Sequence, residues 1–191
     1  MFITGRQGAA KVLKQSPRRC SKRRPGTTMT DDHDEISLER PALMTIRRAV
    51  ETDIPQLLEM IGLLAAFHGD AVEASAEGLK RDLFGPAPWV TALVADSGAQ
   101  LLGYALLTPL YRAQQGKRGM DLHHLFVRDG HRSHGVGQHL IARARDFAKA
   151  AGCAYLSVSA ATGNTKAHQF YQQMEFVARP VTGMRYLQSL A

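Results

Sequence analysis

Cysteine is nearly absent: Cys20 and Cys153 are the two in 191 residues. Two such positions make no disulfide framework, so apolar burial must hold the fold, and Cys153 reads as a small core residue in a reduced, intracellular protein. No apolar run approaches the ~20 residues that a membrane-spanning helix needs. Acidic residues are missing from the first 28 positions, which carry Arg6, Lys11, Lys14, Arg18, Arg19, Lys22, Arg23 and Arg24. Those are 8 of the 24 basic residues, leaving 16 basic against 17 acidic in the rest of the chain. The formal charge of +7 therefore belongs to a tail, and the body carries no excess of basic charge for a polyanion.

The basic stretch has no apolar periodicity, and its Arg, Lys, Gly and Ser content predicts disorder. Three readings of it stay open: an upstream extension with Met29 or Met44 as the start, a solvated arm touching polyanions, or a transit-like segment. A secretory signal is not expected, because no long apolar region follows the charges. Residues 29–42 are polar and acidic and read as a linker. The predicted division is a tail and linker over 1–42 and one folded domain over 43–191, a length that suits one core.

Apolar spacing predicts a first strand at 45–49 and a helix capped by Thr52 or Asp53. Pro55 lies in that helix's first turn, and Ile54, Leu57, Leu58, Ile61, Leu64 and Ala65 share one face. A second helix is expected over 75–84, stopped by Gly85-Pro86-Ala87-Pro88. Strands at 90–95 and 101–107 flank the turn signal Asp96-Ser97-Gly98 and read as a hairpin. A polar, basic loop over 111–120 leads to a strand at 122–127. A long helix over 136–151 follows, with Val136, Leu140, Ile141, Ala144, Phe147, Ala148 and Ala151 inward and Gly152 as its stop. A strand at 155–160, a helix over 164–173 and closing strands at 176–179 and 184–188 complete the pattern. The order predicts an α/β fold with a mixed central sheet of about six or seven strands and helices on both faces.

The chemistry gathers in Val127-Arg128-Asp129-Gly130-His131-Arg132-Ser133-His134-Gly135-Val136-Gly137. A strand, a turn with two glycines one residue apart, and a helix start bring backbone N–H groups and the positive helix end together, which suits a pyrophosphate. Arg132 can add a charge-assisted bond. No Gly-Lys-Ser/Thr follows, and Leu140 stands where a dinucleotide fingerprint has its third glycine. An ordinary flexible turn is the competing reading. His131, His134 and His139 are close in sequence, but no Cys or carboxylate completes a ligand set at usual spacing, so no metal is assigned.

Leu125-Phe126-Val127 followed by Arg132-Ser133-His134-Gly135-Val136-Gly137 resembles motif A of the GCN5-related N-acetyltransferase (GNAT) superfamily. Asn164-Thr165-Lys166-Ala167-His168-Gln169-Phe170-Tyr171 resembles its motif B, and Met174-Glu175-Phe176 its return strand, with Glu175 in place of glycine. The likeness covers residues 45–186. Within the superfamily, 121–127 and the first helix are most similar to the diamine and polyamine branch.

That resemblance implies acetyl-CoA as co-substrate and direct transfer of its acetyl group to a primary amine of a small molecule. It implies that the backbone of Leu125, Phe126 and Val127 pairs with the pantetheine arm. The turn Arg132, Ser133, His134, Gly135, Val136, Gly137 and Gln138 would hold the pyrophosphate, Asn164 would help hold the pantetheine, and Phe170 would be a further cofactor-binding residue. Tyr171 would act as general acid, since a tyrosine hydroxyl can protonate the departing thiolate. The amine arrives protonated and needs a base. The relatives carry Glu where this chain has His123, which could serve as base or as an ordinary sheet residue. His124 falls on the opposite face of a regular strand, and a bulge would change which one faces the site. His68, Asp70, Trp89, Tyr104, Tyr111 and His124 are the candidates for contact with the amine. A homodimer, a cytoplasmic location, and no membrane or nucleic-acid partner complete the expectation. A non-catalytic CoA-binding module and a nucleic-acid binder acting through the tail are the alternatives.

Overall fold

The structure, a computed structural model, describes residues 44–181, 184 and 186–190. The expected tail and linker, 1–42, lie outside the described residues. The elements are β1 (Thr45–Arg48), α1 (Ile54–His68), α2 (Ala76–Phe84), β2 (Thr91–Asp96), β3 (Leu101–Arg112), β4 (Lys117–Val127), α3 (Val136–Ala150), β5 (Tyr155–Val158) and α4 (Thr165–Gln173).

Five strands form one mixed sheet in the order β1-β2-β3-β4-β5. The first four are antiparallel neighbours, and β5 joins β4 in parallel. The parallel pair needs a crossover, which α3 supplies. Helices cover both faces as expected, but the described residues form five strands where six or seven were predicted. Residues 176–179 form no strand, and the second expected closing strand, 184–188, shows none at its described positions. With no sheet neighbour seated on β5's outer side among the described residues, those positions do not pair.

Each helix starts and stops for a local reason. Pro55 sits in the first turn of α1, and Gly69 ends it at φ 77°. Asp53 does not cap with its side chain as predicted. Its carboxylate instead accepts from Val50 N–H at 2.8 Å and from Arg47 at 2.7 and 3.0 Å, which fastens β1 to the helix start. Arg47 also donates to Asp96 Oδ2 at 2.9 Å. The guanidinium holds the Asp53 carboxyl below its usual range. Ser75 caps α2, its Oγ accepting from Gly78 N–H at 3.0 Å.

Two apolar layers result. On one face, Leu57 and Met60 of α1 and Leu83 of α2 pack on Val94, Tyr104, Leu106 and Phe126. On the other, Val136, Leu140, Ile141, Ala144 and Ala148 of α3 pack on Leu93, Ala105, Leu107 and Leu122, with Phe170 and Tyr171 of α4 joining at the margin. Met60 is fully buried although it stood outside the predicted stripe, whereas Ala151 is exposed. The expected loop at 111–120 is instead the end of a β3–β4 hairpin, with Leu110 paired to Gly119, Tyr111 to Arg118 and Arg112 to Lys117.

Candidate active site

The sheet splits along one line. β5 pairs with β4 only from Gly119 to Leu122. Leu106 pairs with His124 and Leu107 with Leu122, so His123 is an extra residue in β4. Such a bulge raises local twist and ends pairing. Beyond it, Leu125, Phe126 and Val127 keep β3 as a neighbour but have none on the β5 side among the described residues.

Ladder alternation decides which backbone groups face that opening. Arg128 N–H donates to Leu102 O at 2.9 Å. Groups alternate sides along an antiparallel strand, so Phe126 turns its N–H and C=O to β3 while Leu125 and Val127 turn theirs outward. The Phe126 side chain is buried beside Tyr104. Its predicted backbone contact with an extended ligand therefore falls to its two neighbours.

The turn after β4 presents amides. Ser133 adopts φ 64° and Gly135 φ 81°. Left-handed residues spaced this way curve successive N–H groups into a concave nest, and the conformation costs a non-glycine residue about 1 kcal/mol. His139 N–H makes the first intrahelical bond, to Gly135 O at 3.0 Å, so the amides of Val136, Gly137 and Gln138 lead into space at the helix start. Arg132 does not point into the nest. Its Nε donates to Val127 O at 3.0 Å, and its Nη1 meets Asp129 at 2.7 Å, so it braces the turn against the strand end. His134 donates from Nδ1 to Arg132 O at 2.7 Å, and His139 Nδ1 to Gly135 O at 2.8 Å. Among the described residues no three His, Cys, Asp or Glu side chains are placed to hold a metal ion.

Three elements meet at Gly137. A Cβ there would sit 3.2 Å from the Phe170 ring and 3.8 Å from the Val127 side chain. The missing side chain lets α4 approach the start of α3 and the end of β4 together. Asn164 caps α4, its Oδ1 accepting from Ala167 N–H at 3.1 Å, which leaves its Nδ2 free to donate. Tyr171 packs edge-on against Phe176, and burial pushes its hydroxyl up to about 12. That hydroxyl has no side-chain partner among the described residues, yet it is not a buried unpaired atom, so it reaches open space.

The bulge settles the histidine question in an unexpected way. Regular alternation would place His123 and His124 on opposite faces, but their rings stack at 4.6 Å with 15° between planes. Both lie on the α1 side. His123 is exposed. His124 is half-buried, with Nδ1 3.1 Å from the Tyr104 hydroxyl. Burial, reinforced by His123 and His68, pushes His124 down to about 4. A cleft of about 230 Å³ opens beside it, lined by Ile61, Leu64, His68, Asp70, Glu73 and His124 among others. His68 and Asp70 thus share a cavity with His124, as predicted candidates. Tyr111 stands exposed on the hairpin end and Trp89 exposed before β2, away from this lining. Tyr104 is wholly buried, so it does not face the cleft itself. Sequence reasoning did not single out Glu73, Ile61 or Leu64 as lining. The last two do stand in the predicted α1 stripe.

An opened sheet edge, an amide nest at a helix start and a cleft lined by the His68 and His124 imidazoles define the class of site: one suited to an extended, diphosphate-bearing ligand and a small second substrate. The model of the Acetyltransferase (GNAT) family matches residues 58–176, and the chain belongs to that family. A thialysine N-epsilon-acetyltransferase of Sus scrofa is 30% identical over 143 residues, 70% of this chain and 84% of the relative. A spermidine/spermine N(1)-acetyltransferase-like protein 1 of Homo sapiens is 31% identical over 117 residues, 56% of this chain and 17% of that protein. The crystal structure of an aminoglycoside acetyltransferase from an uncultured soil metagenomic sample, in complex with sisomicin, shares the fold. It has TM-score 0.66 and 20% identity, over 76% of this chain and 97% of that one. The chain is an N-acetyltransferase that uses acetyl-CoA to acetylate an amine of a small molecule. The nest fits its diphosphate by chemistry, offering amide donors without an opposing side chain at Gly135 and Gly137.

Proposed function

We propose that acetyl-CoA lies in the opening between β4 and β5, with Leu125 and the Val127 N–H pairing with its pantetheine arm. Ser133 to Gln138 hold the diphosphate through main-chain amides. Phe170 walls the channel at Gly137, and Asn164 keeps α4 in register. Tyr171 protonates the departing thiolate. A hydroxyl held protonated at every working pH suits a general acid. His123, exposed beside the cleft, takes the proton from the incoming ammonium. His68, Asp70 and His124 border the amine.

Convergence at Gly137 of the open strand edge, the nest and the helix carrying Tyr171 is the observation that carries this reading. The name of the Sus scrofa relative makes an amino-acid side-chain amine the first substrate to assay. Tyr171→Phe is expected to lower turnover by about 10²-fold or more while CoA affinity is kept. Unchanged turnover removes Tyr171 from the chemistry.

The enzyme acts in the cytoplasm as a homodimer and without nucleic acid. Large apolar side chains left exposed at Val177, Val181, Met184, Tyr186, Leu187 and Leu190 support burial against a second copy. Light scattering gives the mass. The organisation into a tail over 1–42 and a catalytic domain over 43–191 is part of the same proposal. Removing the tail is expected to leave acetyl transfer intact.

A further inference from the structure

We propose that Tyr104 is a positioning residue that fixes His124 as a hydrogen-bond donor into the cleft, so that the enzyme selects amines that also bear an acceptor oxygen. This rests on the acetyl-transfer reading for its consequence, though not for its geometry.

Tyr104 is 0% exposed, and its hydroxyl meets only His124 Nδ1 among the described residues, at 3.1 Å. A buried hydroxyl hydrogen without an acceptor carries a desolvation cost. The hydrogen therefore goes to Nδ1, because no other acceptor is within reach among the described residues. An imidazole that accepts at Nδ1 and is neutral must carry its own hydrogen on Nε2. Burial keeps both partners in these forms, raising Tyr104 and lowering His124. The ring contacts of Tyr104 with His124 and Phe126 hold the pair in place.

His124 lines the cleft with its remaining edge. At neutral pH that edge offers an N–H and no lone pair, so it cannot take a proton there. The stacked pair divides its work: His123 is free to accept, and His124 donates. A plain diamine brings, beyond the attacking nitrogen, only a second ammonium, and would set donor against donor. An amine carrying a carboxylate, amide or hydroxyl oxygen supplies the missing acceptor, while Asp70 and Glu73 at the same cleft attract its ammonium.

The decisive experiment is nitrogen-15 NMR of the histidine side chains in the full chain and in Tyr104→Phe. Wild type is expected to show His124 as the Nε2–H tautomer, neutral to well below pH 6. Tyr104→Phe keeps the ring and its packing, and is expected to show mixed tautomers. An Nδ1–H tautomer in wild type, or an unchanged tautomer in Tyr104→Phe, overturns the proposal. Lysine and cadaverine, which differ by one carboxylate, probe the substrate class. Titration with lysine is expected to shift the His124 Nε2–H signal at concentrations roughly tenfold lower than cadaverine. Equal response, or none to either, overturns the selection. These readouts need no turnover, so a failure of the acetyl-transfer reading would show separately, as no acetyl-CoA consumption with a wild-type tautomer still in place.

Discussion

Gly137 and Phe170 lie so close that a Cβ on the glycine would come within 3.2 Å of the ring tip. One missing methyl thus sets the distance between the helix that starts at the amide nest and the helix that carries Tyr171. Gly137→Ala gains helix propensity of about 1 kcal/mol and loses a similar amount by moving the ring. Its thermal stability is therefore expected to change by under about 1 kcal/mol. Turnover is expected to fall about tenfold, because α4 moves and a small misplacement weakens transfer. Thermal melts and steady-state rates check both halves.

His124 gives the protein an acid sensitivity of its own. Its ordinary value is 6.5 and burial lowers it to about 4. Between those pH values the unfolded chain binds a proton that the folded chain refuses. Stability from this group is therefore complete above about 6.5 and lost as pH falls to about 4, by at most about 3 kcal/mol. The carboxylates of Asp53, Glu59 and Asp96 are also held low, and their loss begins in the ordinary carboxylate range. Urea unfolding at pH 7 and pH 5 is expected to differ for wild type and to differ less for His124→Phe.

Arg47 joins three parts of the fold, reaching Asp53 and Asp96 from β1. The Asp53 side chain is 7% exposed. Arg47→Ala leaves that carboxylate buried with only the Val50 amide, and is expected to destabilise by about 2–3 kcal/mol. Denaturant midpoints measure it. Lys80 and Glu51 are both more than half exposed, and Lys80→Ala is expected to cost under about 1 kcal/mol.

The nest was legible because strand end, paired glycines and helix start are contiguous, so local chemistry fixes Gly135 and the free amides of Val136 to Gln138. The α3 stripe was legible for the same reason. Residues 111–120 were not, because the hairpin end is exposed through Arg118 and only Gly119 and Met120 reach the core, so it shows no apolar alternation. Arg112, Lys117 and Arg118 read as loop residues, yet they pair along the ladder, and Arg112 stacks over the Tyr155 ring at 4.1 Å. The bulge at His123 could not be placed from sequence, since it depends on a one-residue mismatch between β3 and β4. Tyr104 and His124 are twenty residues apart and meet only through that shifted register. Arg132 was assigned to a ligand on its charge, and the fold turns it to Val127 O and Asp129 instead.

Calorimetric titration with CoA, dephospho-CoA and pantetheine tests most directly whether main-chain amides between Ser133 and Gln138 hold the diphosphate. CoA and dephospho-CoA, which share that group, are expected to bind with affinities within about tenfold of each other, and pantetheine at least about 100-fold more weakly. No heat with CoA, or pantetheine binding as tightly as CoA, would contradict it.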